Sequence, residues 1–196
     1  MYKSLIIVIL LLFVMYPESS GQRFKAMAIV GANASQIDGD NLYGFNKLGL
    51  SAGGRLSYAN DKSIDYALEM LYSQRGSSVK FFNNADGDKI SLNYIEIPLI
   101  VSIRDWYIEK DGYYKVRAEG GISYGYLFGA AASGFNEEYF RKHDVSWLMA
   151  AGINFNKTWG MSLRYTASFY NMYKDPAADR STLKGYFLTL RSEINF

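Results

Sequence analysis

A chain of 196 residues without a single cysteine has no route to disulfides, thiolate metal centres or a lipidated cysteine. Its formal charge of +2 leaves neither a nucleic-acid footprint nor an acidic tail, so no nucleic-acid partner is expected, and its length suits one domain. Aromatic residues make up 16% of it, led by 17 tyrosines, whose rings tolerate apolar surroundings while the hydroxyls seek water, as at a membrane interface.

Met1 to Gly21 carries Lys3, the apolar run Leu5 to Met15, Pro17, and the small residues Ser19, Ser20 and Gly21. This is the layout of a secretory signal, with cleavage expected before Gln22 and residues 22–196 forming one domain. The apolar run is shorter than the roughly 20 residues a membrane helix needs. No later stretch is longer, so any membrane crossing by the mature protein must use strands.

The first strand is expected over Lys25 to Ala34, with Met27 and Ile29 on one face, followed by the polar stretch Ser35 to Lys47. In strand two, Leu48, Leu50, Ala52, Leu56 and Tyr58 alternate with Gly49, Ser51, Gly53, Arg55 and Ser57. After the turn Ala59 to Ser63, strand three places Tyr66, Leu68, Met70 and Tyr72 outward and Asp65, Ala67, Glu69 and Ser73 inward; Gln74 to Lys89 reads as a loop. Strand four sets Ile95, Ile97, Leu99, Val101 and Ile103 against Tyr94, Glu96, Pro98, Ser102 and Arg104. Pro98 lacks the amide a ladder uses, which predicts a local bulge there.

Asp105 to Gly112 reads as a turn, and strand five puts Tyr114, Val116, Ala118, Ile122 and Tyr124 outward and Lys115, Arg117, Glu119, Gly121 and Ser123 inward. Phe128 to Asp144 is the next predicted loop. Val145, Trp147, Met149, Ala151, Ile153 and Phe155 form the outer face of strand six, and the turn Asn156 to Thr158 leads to Met161, Leu163, Tyr165, Ala167 and Phe169 on strand seven. The loop Asn171 to Lys184 precedes the last strand, Tyr186 to Phe196. There Tyr186, Leu188, Leu190, Ile194 and Phe196 face away from Phe187, Thr189, Arg191, Glu193 and Asn195. Turning the first set to lipid shelters Arg191 and Glu193, whereas the opposite register would expose Arg at about 2–4 kcal/mol near the bilayer midplane.

The pattern predicts an all-β, eight-stranded, antiparallel up-and-down transmembrane β-barrel, with strands near the roughly 9–11 residues that cross a bilayer at a tilt. Connections alternate long and short, which places short turns at the periplasmic end and long loops outside. Aromatics fall into two girdles: Tyr58, Tyr66, Trp106, Tyr114, Phe155, Trp159 and Phe196 at the short-turn end, and Tyr72, Tyr124, Trp147, Phe169 and Tyr186 at the long-loop end. A soluble lipocalin-like barrel is the alternative, but it would leave the apolar positions in water and the charges in the core.

Gly31 to Gly54 (G-A-N-A-S-Q-I-D-G-D-N-L-Y-G-F-N-K-L-G-L-S-A-G-G) and Tyr94–Ile95–Glu96–Ile97–Pro98–Leu99 resemble motifs of the PorT-like outer-membrane β-barrel family of Gram-negative bacteria. The S-Q-x-x-G-D core and the Gly-aromatic-Asn-Lys after it carry the specificity. The resemblance implies location in the outer membrane and a barrel fold, and some relatives are linked to type IX secretion and gliding machinery. It also implies that the barrel assembly machinery reads the terminal strand, with Phe196 as the assembly signal.

The inward ionisable residues are Arg55, Glu69, Glu96, Arg104, Arg117, Glu119, Arg164, Arg191 and Glu193. Eight strands enclose only enough room for side chains, so these residues are expected to form a structural ion-pair network rather than a solute path. His143, the single histidine, lies near Ser146, Glu137 and Glu138. A lipid hydrolase built on a Ser–His pair is the enzymatic alternative, but nothing in the sequence sets these residues at hydrogen-bonding distance, and no catalytic residue is assigned. Asp38–Gly39–Asp40 and Asp86–Gly87–Asp88 invite a calcium reading, yet they lack a full ligand loop, and Asp-Gly turn chemistry accounts for them. No metal and no cofactor are expected. The resulting expectation is a non-enzymatic outer-membrane barrel with structural or partner-binding work, surrounded by lipid and meeting an envelope protein. Asp38, Asp40, Tyr43, Phe45 and Asn46 in the first long loop are the candidate contacts. A narrow channel is the remaining alternative.

Overall fold

The computed structural model describes residues 24–38, 44–45, 47–59, 63–78, 90–133, 136–174 and 183–196. The leader, Asp40, Tyr43, Asn46 and the Asp86–Gly87–Asp88 stretch lie outside the described residues. Eight strands follow in chain order: β1 (Phe24–Asp38), β2 (Lys47–Ala59), β3 (Ile64–Ser77), β4 (Ile90–Ile108), β5 (Tyr113–Ala132), β6 (His143–Asn154), β7 (Trp159–Ser168) and β8 (Lys184–Asn195). Each pairs antiparallel with its sequence neighbours, and β8 returns to β1, closing the barrel. The seam runs from Met27↔Asn195 to Asp38↔Lys184. A bond from the Phe196 amide to the Ala26 carbonyl at 3.0 Å extends it. Closure leaves no edge strand among the described residues, the condition for strands in hydrocarbon.

The alternation predicted from sequence holds on β2 to β8 except at the Trp106–Lys115 end of the β4–β5 hairpin, where Lys115, read from sequence as inward, lies over the exposed Trp106. Leu50, Leu56, Leu68, Met70, Leu99, Val101, Ile122, Met149, Leu163 and Leu190 stand exposed on the outer wall, while Arg55, Glu69, Glu96, Arg117, Glu119, Arg164, Arg191 and Glu193 are buried inside. This is the inverse of a soluble barrel and requires lipid outside. On β1 the shared face of Met27 and Ile29 is the inner one, with Ile29, Asn33, Ser35 and Ile37 buried and Val30 exposed. Aromatics gather at both ends of the wall. Phe155 and Trp159 stack at 4.6 Å and Phe24 meets Tyr58 at 5.3 Å near the short turns, while Tyr72 and Phe128 approach at 6.1 Å near the long loops.

Several strands outrun the lengths read from the sequence. β1 continues to Asp38, which is therefore a strand end and not a loop residue. β3 takes in Gln74 to Ser77, and β5 reaches Ala132, while β6 starts at His143. Beyond the hydrocarbon layer the outward positions no longer need to be apolar, so the two-residue pattern fades while the hydrogen-bond ladder continues. β4 likewise runs to Ile108, leaving Glu109–Gly112 as the turn, where Gly112 takes φ 66.

The bulge expected at Pro98 lies elsewhere. The β4–β5 register shifts between Asn93 and Tyr94, so that Phe128 is the extra residue on β5. Pro98 keeps its place opposite Ser123 on β5 and turns its missing donor toward β3, whose pairing to β4 is interrupted between Leu68↔Leu99 and Leu71↔Glu96 without a change of register. The strand tolerates the loss of a bond more readily than an insertion that would rotate its inner face outward.

The β4–β5 hairpin projects past its neighbours at the short-turn end, since β3 pairs with β4 only as far as Ile103 and β6 with β5 only as far as Val116. Trp106 there adopts φ 57, with its amide donating to the Asp105 carboxylate at 2.7 Å and the Lys115 ammonium 4.4 Å from its ring centroid. Past this kink the hairpin contacts the adjacent end of β6, where the Tyr113 hydroxyl donates to the Phe155 carbonyl at 3.0 Å, and it lines the mouth of the barrel with Tyr107 and Tyr114. Tyr114, assigned from sequence to the outer girdle, instead sits with its ring 4.5 Å from the Arg104 guanidinium. The kink breaks the alternation that the girdle assignment assumed.

Replacing Leu99, near the middle of the outer wall, by Arg is expected to destabilise the folded barrel by about 2–4 kcal/mol, and Ile103→Arg, near the rim, by about 0–1 kcal/mol. Denaturant unfolding in lipid vesicles measures both; equal costs at the two depths would contradict the transmembrane register.

Candidate functional site

The barrel interior is built in layers. In the central layer Glu69 of β3 is clasped by Arg164 of β7 in a two-pronged contact at 2.8 and 3.0 Å and by Arg191 of β8 at 2.8 Å. Arg55 of β2 lies 3.7 Å from the same carboxylate and 2.6 Å from Glu119 of β5. Glu119 also accepts from Arg117 at 2.9 Å, and Arg117 reaches on to Glu193 of β8. The Ser162 hydroxyl donates to Glu193 at 2.6 Å. The two-pronged Arg–carboxylate contact combines charge with fixed direction. The cross-strand partner of Arg117, Gly152, leaves the guanidinium in place: a Cβ there would stand 2.7 Å from the guanidinium carbon and push the Arg117 side chain aside.

Nearer the long loops, Arg75 of β3 pairs with Glu96 at 2.7 Å and Asp144 at 2.7 Å, and its guanidinium lies between the rings of Tyr94 and Phe187, at 4.6 and 4.2 Å. The Ser146 hydroxyl supports Asp144 at 2.7 Å. Above this layer is an apolar cap of Ile37, Ile90, Leu92, Tyr94, Leu127, Phe140, Met172, Tyr173 and Leu183. Two long loops knit together to make it: Phe140 bridges Tyr173, the Arg141 amide donates to the Met172 carbonyl at 2.8 Å, and the Met172 amide donates to the Leu183 carbonyl at 2.7 Å. The rings of Phe140 and Tyr173 meet edge-on at 4.9 Å.

Toward the short turns, Arg104 pairs with Asp65 at 2.9 Å, and the lumen opens into a vestibule of about 950 Å³. Arg55 and Arg117 form its floor, and Lys25, Arg104, Tyr107, Tyr114 and Lys157 its sides.

All nine ionisable residues that the sequence assigns to the lumen lie inside the barrel, but in three groups. Arg55, Glu69, Arg117, Glu119, Arg164, Arg191 and Glu193 form the central cluster, Glu96 belongs to the Arg75 layer and Arg104 to the Asp65 pair. Sequence reading missed Arg75 and Asp144 as lumen residues because it placed them in loops. Each continues the inner face by one step, from Ser73 to Arg75 and from Ser146 back to Asp144. Arg55, Arg75, Arg104, Arg117, Arg164 and Arg191 thus each meet a carboxylate, among Asp65, Glu69, Glu96, Glu119, Asp144 and Glu193. Buried charge is tolerable on these terms.

The Ser–His pair of the hydrolase alternative does not form. His143 points to the outer surface, its Nδ1 2.6 Å from the Tyr124 hydroxyl, whereas Ser146 is buried on the inner face and donates to Asp144. Glu137 accepts from the Ala132 amide, at 3.3 Å. Among the described residues no cluster of carboxylate, histidine or cysteine could hold a metal ion. Of the first-loop candidates, Asp38 is exposed at the end of β1 and Phe45 is half-buried.

A family model described as outer membrane protein beta-barrel domain matches residues 19–174. The chain belongs to this outer-membrane barrel family. Among solved structures, neisserial surface protein A is similar at a TM-score of 0.54 and 11% identity, covering 89% of this chain and 98% of that one. Ail, the attachment invasion locus protein of Yersinia pestis, solved in complex with the heparin analogue sucrose octasulfate, is similar at 0.51 and 12%, covering 89% of this chain and all of the other. At these identities the likeness is one of fold. Curated proteins gave no match. The family and the lipid-facing wall together place the protein in the outer membrane.

Glu69→Gln is expected to cost about 3–5 kcal/mol of stability, because the buried Arg164 and Arg191 would lose their short carboxylate contacts and keep only Glu119 at 3.7 Å and Glu193 at 3.5 Å. Glu109→Gln in the exposed β4–β5 turn should leave stability unchanged. Denaturant midpoints compared in one detergent decide between them.

Proposed function

We propose that the protein is a non-enzymatic scaffold of the outer membrane, exported by its leader and serving to hold its long loops for contact with an envelope partner. The observation that carries this reading is the filled interior. A central ion-pair cluster and an apolar cap stand in series across the lumen, so the barrel invests its inner residues in rigidity rather than in a path for solutes. Recognition then falls to the loops, which a rigid frame positions. The first long loop is the leading candidate, with Asp40 and Asn46, and Asp38 at the adjoining end of β1, as polar contacts and Tyr43 and Phe45 as aromatic anchors. The likeness of the Ser35–Lys47 stretch to PorT-like proteins supports, as the finer reading, an accessory place in a type IX secretion or gliding-type envelope machine.

In planar bilayers the protein is expected to show no steady conductance of porin size; such a conductance would remove the scaffold reading in favour of a channel. Crosslinking in intact cells should recover a partner with wild type and lose it with the Tyr43→Ala/Phe45→Ala double variant, while heat-modifiable migration on a gel is preserved. Unchanged partners together with lowered heat stability would show that the loop packs into its own barrel.

Deleting Phe196 is expected to lower the amount of protein inserted in the outer membrane more than the stability of the molecules that do insert. Fractionation with quantitative immunoblotting reads the first and heat-modifiability the second. Normal surface levels of the deletion variant would rule out Phe196 as an assembly signal.

A further inference from the structure

We propose that the vestibule at the short-turn end binds a small soluble polyanion, a molecule carrying two or more phosphate or carboxylate charges. The cavity, about 950 Å³, is of the size that takes a small ligand. It is blind: Arg55 and Arg117 with their carboxylates close its floor, and the apolar cap lies beyond them. It opens along the barrel axis, away from the lipid-facing wall, so its occupant comes from solution, and the placement of short turns in this class of barrel makes that solution the periplasm.

The lining carries five cations, Lys25, Arg55, Arg104, Arg117 and Lys157, and one acidic side chain, Asp65. Arg55, Arg104 and Arg117 are engaged with carboxylates. Lys25 on β1 and Lys157 in the β6–β7 turn are exposed and have no carboxylate within salt-bridge distance among the described residues. Lys25 shares the field of Asp65, and the two ammonium groups leave the rim with an excess of positive charge at a recess whose low-dielectric walls concentrate the field. A second observation concerns Ser102: the residue is 1% exposed, lines the cavity and has no hydrogen-bond partner for its hydroxyl, although its cross-strand neighbours on β3 and β5 are the carboxylates Asp65 and Glu119. The β4–β5 hairpin contributes Tyr107, Gly112, Tyr113 and Tyr114 to the cavity wall, and a recess of this size suits a small ligand.

Calorimetric titration of the full chain in lipid nanodiscs with inorganic pyrophosphate tests the site. Wild type is expected to bind one equivalent saturably, and Lys25→Gln/Lys157→Gln to bind about tenfold more weakly, the scale of losing two partly exposed charge contacts. Both lysines lie outside the buried network, and retained heat-modifiability of the variant confirms that the barrel is intact. Lys174→Gln/Lys184→Gln, at the opposite end, should match wild type; an equal loss there would mean diffuse attraction and overturn the proposal. Absence of saturable binding would overturn it as well, as would equal binding of a neutral disaccharide. Pyrophosphate affinity should be the same in phosphatidylcholine discs and in discs containing phosphatidylglycerol, whereas loss in the latter would assign the site to a lipid headgroup. An acidic peptide that binds where pyrophosphate does not would make the vestibule a protein interface instead.

Discussion

A strand in hydrocarbon has no water to satisfy its amides and carbonyls, so every backbone polar group must find another strand. The β1–β8 seam, from Met27↔Asn195 to Asp38↔Lys184, is where that requirement is met, and the rest of the molecule depends on it. Once the seam closes, the wall has an inside and an outside, and the two-residue period assigns each side chain to one or the other. A slip of one residue anywhere in the ring would carry a buried arginine into lipid and an aliphatic residue into the lumen. That penalty explains why Pro98 costs this barrel a gap in the β3–β4 ladder but no change of register.

Closure with eight strands also sets the contents of the interior. The space suits side chains and little else, and the chain fills it with arginines paired to carboxylates. The two-pronged Arg164–Glu69 contact ties β7 to β3 across the lumen, and Arg55–Glu119 ties β2 to β5. These are links between strands that do not touch along the wall, so the network braces the barrel against flattening. Arg75 couples this polar interior to the apolar cap, since its charges meet Glu96 and Asp144 while the faces of its guanidinium lie against Tyr94 and Phe187. Guanidinium suits that position because it is weakly hydrated on its faces and donates hydrogen bonds at its edges.

The two ends of the barrel are consequently different surfaces. At the long-loop end, loop segments around Phe140 and Tyr173 pair with each other and seal the lumen with aliphatic and aromatic side chains. At the short-turn end the lumen is open, polar and lined by cations, and the projecting β4–β5 hairpin, kinked at Trp106, lines part of it. A residue other than glycine at positive φ costs on the order of 1–3 kcal/mol, which here is offset by the Asp105 bond to the Trp106 amide and the Lys115 ammonium over the indole.

The sequence by itself determined the strand count, the antiparallel order, the lipid-facing residues on β2 to β8, and which charged residues turn inward. Each of these follows from local alternation, and a bilayer punishes its violation residue by residue. It also carried enough signal to set Arg55, Glu69, Glu119, Arg164 and Arg191 in one lumen. The pairing among them, such as Glu69 with Arg164 and Arg191, was decided only by the tertiary structure, because strands far apart in the chain face one another across the barrel according to its tilt and stagger. The same holds for the ends. Arg75 and Asp144 are lumen residues because the ladder continues past the membrane, where no hydrophobic constraint marks the strand, and Tyr114 leaves the girdle because a kink at Trp106 turns the hairpin. The cap and the vestibule arise from contacts between segments remote in sequence, for which a two-residue period carries no information.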